Sequence, residues 1–146
     1  MLLISSGFML GGMYLASLQT KKTNIINDIL LLLSVTETQL RYACLPVSDL
    51  MRILCKTEKL SALRFLHICK DRLEKNEPFH SAWKQSVEEC GELCRLLGNH
   101  KNYLIQLGAD IGTTDLEGQL GCCEYYKQIF KKELAVREEN SKKYSK

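Results

Sequence analysis

The chain has 146 residues, a net charge of only +3, and a hydrophobic share of 45%. That length holds one domain beyond any anchor, and so weak a basic excess makes no case for nucleic-acid binding. With two prolines and nine glycines, long helices are permitted and a turn-rich β fold is not supported.

Residues 1–18 carry no charge, and Lys21-Lys22 follows almost at once. As a helix this stretch is roughly 27 Å long, close to the hydrocarbon thickness of about 30 Å. A secretory signal would place basic residues ahead of the apolar core and a small-x-small cleavage site after it. Here the basic pair lies behind the core, so the positive-inside rule assigns everything beyond it to the cytoplasm. Residues 1–20 are therefore expected to be a transmembrane anchor, and 21–146 a cytoplasmic helical bundle. Gly7-x-x-x-Gly11, with Gly12 beside it, would let a second membrane helix approach closely.

From Asn24 the pattern is helical. Ile26, Leu30, Leu33 and Leu40 form a stripe, Ile25, Ile29 and Leu32 widen it, and Glu37 interrupts it. Pro46 disfavours helical geometry at Leu45, which ends this helix near Cys44 and suits the first turn of the next. The second helix, 46–56, turns Val47, Leu50, Ile53 and Leu54 inward. A third, 60–75, places Ala62, Phe65, Leu66, Cys69 and Leu73 on one face. Asn76-Glu77-Pro78 breaks it and starts a fourth, whose stripe runs through Phe79, Ala82, Trp83, Val87, Cys90, Leu93 and Cys94 without interruption to a stop at Gly98. The fifth helix, 100–111, buries Leu104, Leu107 and Ile111. Thr114-Asp115-Leu116-Glu117 reads as a capping box with Thr114 as the cap. It opens a sixth helix with Leu116, Leu120, Cys123, Phe130 and Leu134 on its seam, and the pattern dissolves after Val136. The fold expected is all-α: an N-terminal transmembrane helix followed by a cytoplasmic antiparallel helical bundle of about six helices.

The seven cysteines, Cys44, Cys55, Cys69, Cys90, Cys94, Cys122 and Cys123, include no C-x-x-C pair and are odd in number. Cys90 and Cys94 stand one turn apart, but His67, His80 and His100 sit at no matching interval. Most of these thiols occupy apolar positions, where cysteine behaves as a small hydrophobe. No metal and no cofactor is expected. No glycine-rich phosphate loop follows a strand, and no nucleophile, histidine and acid share a recognisable signature. Catalysis is not expected.

The polar residues Asp110, Asp115, Glu117 and Gln119 cluster around one turn and one helix start. They admit two readings. Carboxylates in the first turn of a helix favour its positive end, and Gln119 can bridge within the bundle; alternatively, the four present a rigid partner-binding corner. Asp110 and Gln119 stand outside the capping box and are expected to be dispensable for folding. Gly108-x-x-x-Gly112 reads as a close helix–helix approach, or Gly112 ends its helix in a left-handed conformation. Trp83 reads as core.

Several phrases in this order resemble the stage III sporulation protein AB family of endospore-forming bacteria. They are Glu37-Thr38, Arg41-Tyr42 leading to Leu45-Pro46, Ala82-Trp83, and Leu107-Gly108-x-x-Ile111-Gly112-x-x-Asp115 with Gln119 one turn on. The last is the most specific, and the resemblance covers essentially the whole chain. That family is similar in turn to the cytoplasmic domains of the type II secretion platform protein F, helical bundles without catalytic activity. The resemblance implies a second membrane helix after Lys142-Lys143-Tyr144, and the sequence ends at Lys146 short of it.

The resemblance also implies a membrane-anchored platform in the sporulation channel complex, in the mother-cell membrane surrounding the forespore, with its bundle facing the cytoplasm. Its implied partners are other stage III sporulation channel proteins, including the stage III sporulation protein AA ATPase, together with membrane lipids. No nucleic acid or small-molecule substrate is implied. The alternative is a membrane-tethered redox or metal-binding protein using Cys90, Cys94, Cys122 and Cys123.

Overall fold

The computed structural model describes the backbone of residues 2–43 and 46–144, and the side chains of residues 18–43 and 46–139. Among them are seven α-helices, two 3-10 turns and no strand. The first helix, α1 (Leu2–Tyr42), runs unbroken for 41 residues. No glycine or proline occurs between Gly12 and Tyr42, so nothing interrupts the hydrogen-bond ladder between the apolar N-terminal stretch and the bundle. Its inward face is Ile26, Ile29, Leu33, Thr36 and Leu40, alternating spacings of three and four, with Leu32 beside them. Among the described residues no helix is long and apolar enough to cross a membrane. The side chains of residues 1–17, with Gly7, Gly11 and Gly12 of the expected anchor, lie outside the described residues.

Beyond Pro46, α2 (Val47–Lys56) buries Leu50, Met51 and Leu54. The expected third helix starts later than its periodicity suggests. A 3-10 turn over Glu58–Leu60 comes first, and α3 is Phe65–Glu74. Leu60 and Leu63 are therefore the buried residues of this connection, while Ala62 is exposed. Asn76 takes a left-handed φ of 67°. The Asn76 and Glu77 amides then donate back to the Leu73 and Arg72 carbonyls, closing the helix end.

The expected fourth helix is two: α4 (Phe79–Glu89) and α5 (Gly91–Leu97), hinged at Cys90 with ψ 83°. The hinge turns Leu93, Leu96 and Leu97 into the core while α4 buries Ala82, Trp83, Ser86 and Val87. Arg72 ties α3 to α4, donating to Glu77 at 3.1 Å, to Gln85 at 2.6 Å and to Glu89. After a second 3-10 turn, α6 (Lys101–Asp110) precedes α7 (Leu116–Tyr144), which extends well past the loss of its apolar pattern. Lysine, glutamate and alanine, good helix formers, carry that polar end.

Named contacts fix the direction of α7. A β-carbon on Gly112, just after α6, would stand 3.7 Å from Val47 Cγ2, near the C-terminal end of α1. At the opposite end Lys21 lies 3.8 Å from Glu92, and His100 Nε2 lies 3.4 Å from Glu133. So α7 begins beside the end of α1 and runs back antiparallel to it. Midway, Lys127 of α7 donates to Glu37 of α1, each side chain only 15% exposed. This explains why a carboxylate interrupts the apolar stripe of α1: it is the partner of a lysine on the facing helix.

Candidate docking corner at the α6–α7 turn

The core is organised on Trp83, which is 1% exposed. Phe65 meets its ring edge-on at a centroid distance of 5.0 Å, and Phe79 packs at 5.6 Å. The indole Nε1 donates to the Leu104 carbonyl at 2.7 Å. That bond draws the ring flat over the next turn of α6, where residue 108 has no side chain. The close approach at Gly108 is thus made by an indole and not by a second backbone.

Gly112 does something different. With φ 85° it occupies the third position of a turn in which Ile111 has φ −67° and ψ 126° and the Thr113 amide donates to the Asp110 carbonyl at 3.3 Å. This is a type II turn, whose third residue needs positive φ. The glycine phrase therefore combines a seat for Trp83 with a chain reversal.

The reversal leads directly into α7, and the cap sits one residue later than the sequence suggested. Asp115, not Thr114, caps the helix: its Oδ1 accepts from the Gly118 amide at 2.8 Å. Thr114 instead folds over Gly118, where a β-carbon would stand 2.6 Å from Thr114 Oγ1. Gln119 Nε2 donates to the Thr114 carbonyl at 2.9 Å, bracing the same turn.

Asp110 is the inner anchor of the corner. Tyr126 is buried, and its hydroxyl donates to Asp110 Oδ2 at 2.6 Å, while Gln106 Nε2 donates to Oδ1 at 3.2 Å. Burial, then the bond and charge of Asp110, push the Tyr126 phenol well above its ordinary range. The structure thus brings Asp110, Asp115, Glu117 and Gln119 to one corner but gives them unequal roles. Asp110, Asp115 and Gln119 hold the turn together. Glu117 is exposed beside Leu116, which is 38% exposed, and makes no hydrogen bond or ion pair among the described residues. Asp110 and Gln119, expected to be dispensable for folding, are both structural ties.

Sequence reasoning missed Tyr126, which pairs with Asp110 across the two helices. The only signal was that its tyrosine flanks the α7 seam. Arg41, singled out in the sequence only as part of a family phrase, has its Nη2 3.6 Å from Glu37 beside the Lys127 contact. Tyr42, next in sequence, is 80% exposed.

Among the described residues no three His, Cys, Asp or Glu side chains converge as metal ligands. Their six cysteines are unpaired. Burial pushes the Cys69 and Cys123 thiols up to about 12, and burial also raises Cys55, Cys90 and Cys122. A protonated thiol is a poor nucleophile and a poor metal ligand, so no observation favours the redox or metal reading.

A helical scaffold with a rigid polar corner beside the C-terminal end of its longest helix is the class of protein these features define. The chain belongs to the stage III sporulation protein AB family, whose family model matches residues 1–146. Membership implies a role in stage III of sporulation. Neither the curated proteins nor the solved structures contain a match to this chain.

Proposed function

We propose that the chain is a non-catalytic, membrane-anchored platform of the sporulation channel complex, in the mother-cell membrane around the forespore, which docks a cytoplasmic secretion-type ATPase. The partner implied by the family resemblance is the stage III sporulation protein AA ATPase. The observation that carries this reading is the continuity of α1, Leu2–Tyr42. One rigid helix leads from the uncharged N-terminal stretch through the core to the corner. Force or position imposed at one end would reach the other without a flexible linker.

On this reading residues 1–20 anchor the chain, with Gly7, Gly11 and Gly12 available to a neighbouring membrane helix. Lys21 and Lys22 mark the cytoplasmic side, and Glu117, with Leu116, is the part of the corner left to meet a partner. The test is alkaline carbonate extraction of membranes from sporulating cells, combined with a topology reporter fused after Lys22. The chain should resist extraction and the reporter should be active only in the cytoplasm. Release by carbonate, or cleavage near Ala16, would overturn the anchor and the platform with it.

A further inference from the structure

The hinge at Cys90 has a second consequence. By bending α5 away from the line of α4, it opens a cleft of about 620 Å³ between α1 and the α3–α5 wall. Its floor is apolar, with Ile25, Leu63 and Leu93 among the lining residues, and Gly91 contributes bare backbone where a β-carbon would meet nothing within 4 Å.

Charges of both signs stand over that floor without strong partners. Asp28 and Arg64 line it from opposite walls, and neither makes an ion pair or side-chain hydrogen bond among the described residues. Burial raises the Asp28 carboxyl above its ordinary range, the mark of a carboxylate losing water without gaining a cation. Arg64 is close enough for its charge to act on the Cys90 thiol. Lys21 and Glu92 also line the cleft and face each other at 3.8 Å, but their side chains are 57% and 66% exposed. Such a pair is weak and exchangeable. The cleft lies at Lys21, three residues past the uncharged N-terminal stretch.

We propose that this cleft binds an aminophospholipid of the phosphatidylethanolamine type: Arg64 and Lys21 meet the phosphodiester, Asp28 and Glu92 meet the primary ammonium, and an acyl chain lies on the apolar floor. The complementarity is threefold. An anionic lipid such as phosphatidylglycerol satisfies Arg64 but leaves Asp28 facing no cation. Phosphatidylcholine carries a positive charge but no N–H to donate to a carboxylate. A headgroup without chains leaves the floor exposed to water. The proposal rests on the anchored reading for the source of the lipid, and not for the chemistry of the cleft.

Cys90 lines the cleft and reports on occupancy. The full-length chain in nonionic detergent is titrated with water-soluble dihexanoylphosphatidylethanolamine, and maleimide alkylation of Cys90 is followed by peptide mapping. At roughly ten times its dissociation constant the lipid should slow Cys90 labelling about tenfold by mass action. Asp28→Asn and Arg64→Gln should each abolish the protection, read for each variant as the ratio of its own labelling rates with and without lipid, since loss of the Arg64 charge by itself slows labelling of the Cys90 thiol. Arg64 is exposed, so its variant stays informative if Asp28→Asn fails to fold. Equal protection by the phosphatidylglycerol and phosphatidylcholine analogues would overturn the proposal, as would protection surviving Arg64→Gln. Equal protection by chain-free glycerophosphoethanolamine would overturn the lipid assignment in favour of a soluble phosphoamine. Because the probe is soluble, carbonate release would sink the anchor without affecting this result.

Discussion

The indole of Trp83 occupies the space where residue 108 would carry a side chain: a β-carbon on Gly108 would stand 2.1 Å from Trp83 Cδ1. The same ring donates its N–H to Leu104, one turn earlier on α6. Gly108→Ala must therefore displace the largest buried side chain of the core. It should destabilise the protein by about 1–3 kcal/mol, the usual cost of overpacking. Trp83→Phe relieves the crowding but leaves the Leu104 carbonyl without the indole donor, so combining it with Gly108→Ala should cost less than the sum of the two alone. Urea denaturation of the four chains measures this coupling, and strict additivity would contradict the described contact.

The cap of α7 gives a second prediction. Asp115→Ala removes the acceptor of the Gly118 amide and should cost about 1 kcal/mol. Thr114→Ala leaves that bond intact and should cost clearly less. The reverse order in thermal denaturation would restore Thr114 as the cap.

The pair Glu37–Lys127 is nearly buried, so breaking it from one side differs from removing both ends. Glu37→Gln alone leaves the part-buried lysine without its carboxylate and should cost about 1–3 kcal/mol, while Glu37→Gln combined with Lys127→Met should recover much of that loss. A double-mutant cycle measures the coupling. If the double variant is as unstable as the sum of the single ones, the two side chains do not interact.

Alkaline pH should weaken the fold in a definite window. Cys69 and Cys123 ionise near 9 when unfolded and are pushed up to about 12 when buried. Tyr126 is raised from 10 as well. Between the unfolded and folded values the unfolded chain binds fewer protons, so stability falls as pH rises. The contribution of the two thiols is fully present below about pH 9 and is lost progressively toward pH 12. Cys123→Ala should flatten this slope while lowering stability at neutral pH, measured as the urea midpoint against pH.

The helix boundaries set by Pro46 and Pro78 were legible in the sequence, because proline constrains the backbone by itself. Also legible was the alternation of threes and fours on α1, since it reflects one buried face. The hinge at Cys90 was not, because the apolar stripe continues across it at helical spacing and only Gly91 hints at a break. At the corner, Thr114 and Asp115 are both competent caps, and the choice depends on Thr114 packing over Gly118, a contact that no local pattern encodes. Asp110 looked free because its partner, Tyr126, is sixteen residues away and reaches it only when α6 and α7 fold together. Glu37 carried a usable signal: a carboxylate within a buried stripe calls for a cation on the facing helix.

The platform reading is tested most directly by recovering the full-length tagged chain from membranes of sporulating cells and quantifying the stage III sporulation protein AA ATPase that comes with it. Glu117→Lys reverses the charge of the corner carboxylate that makes no bond of its own; in the first turn of α7 the reversal loses a favourable dipole interaction worth about 0.3–1 kcal/mol, too little to unfold the bundle. The account predicts that the parent retains the ATPase, and that the variant stays in the membrane fraction at equal abundance but loses it. Absence of the ATPase from the parent's membrane fraction would contradict the platform. Equal retention by the variant would remove the corner as the docking face.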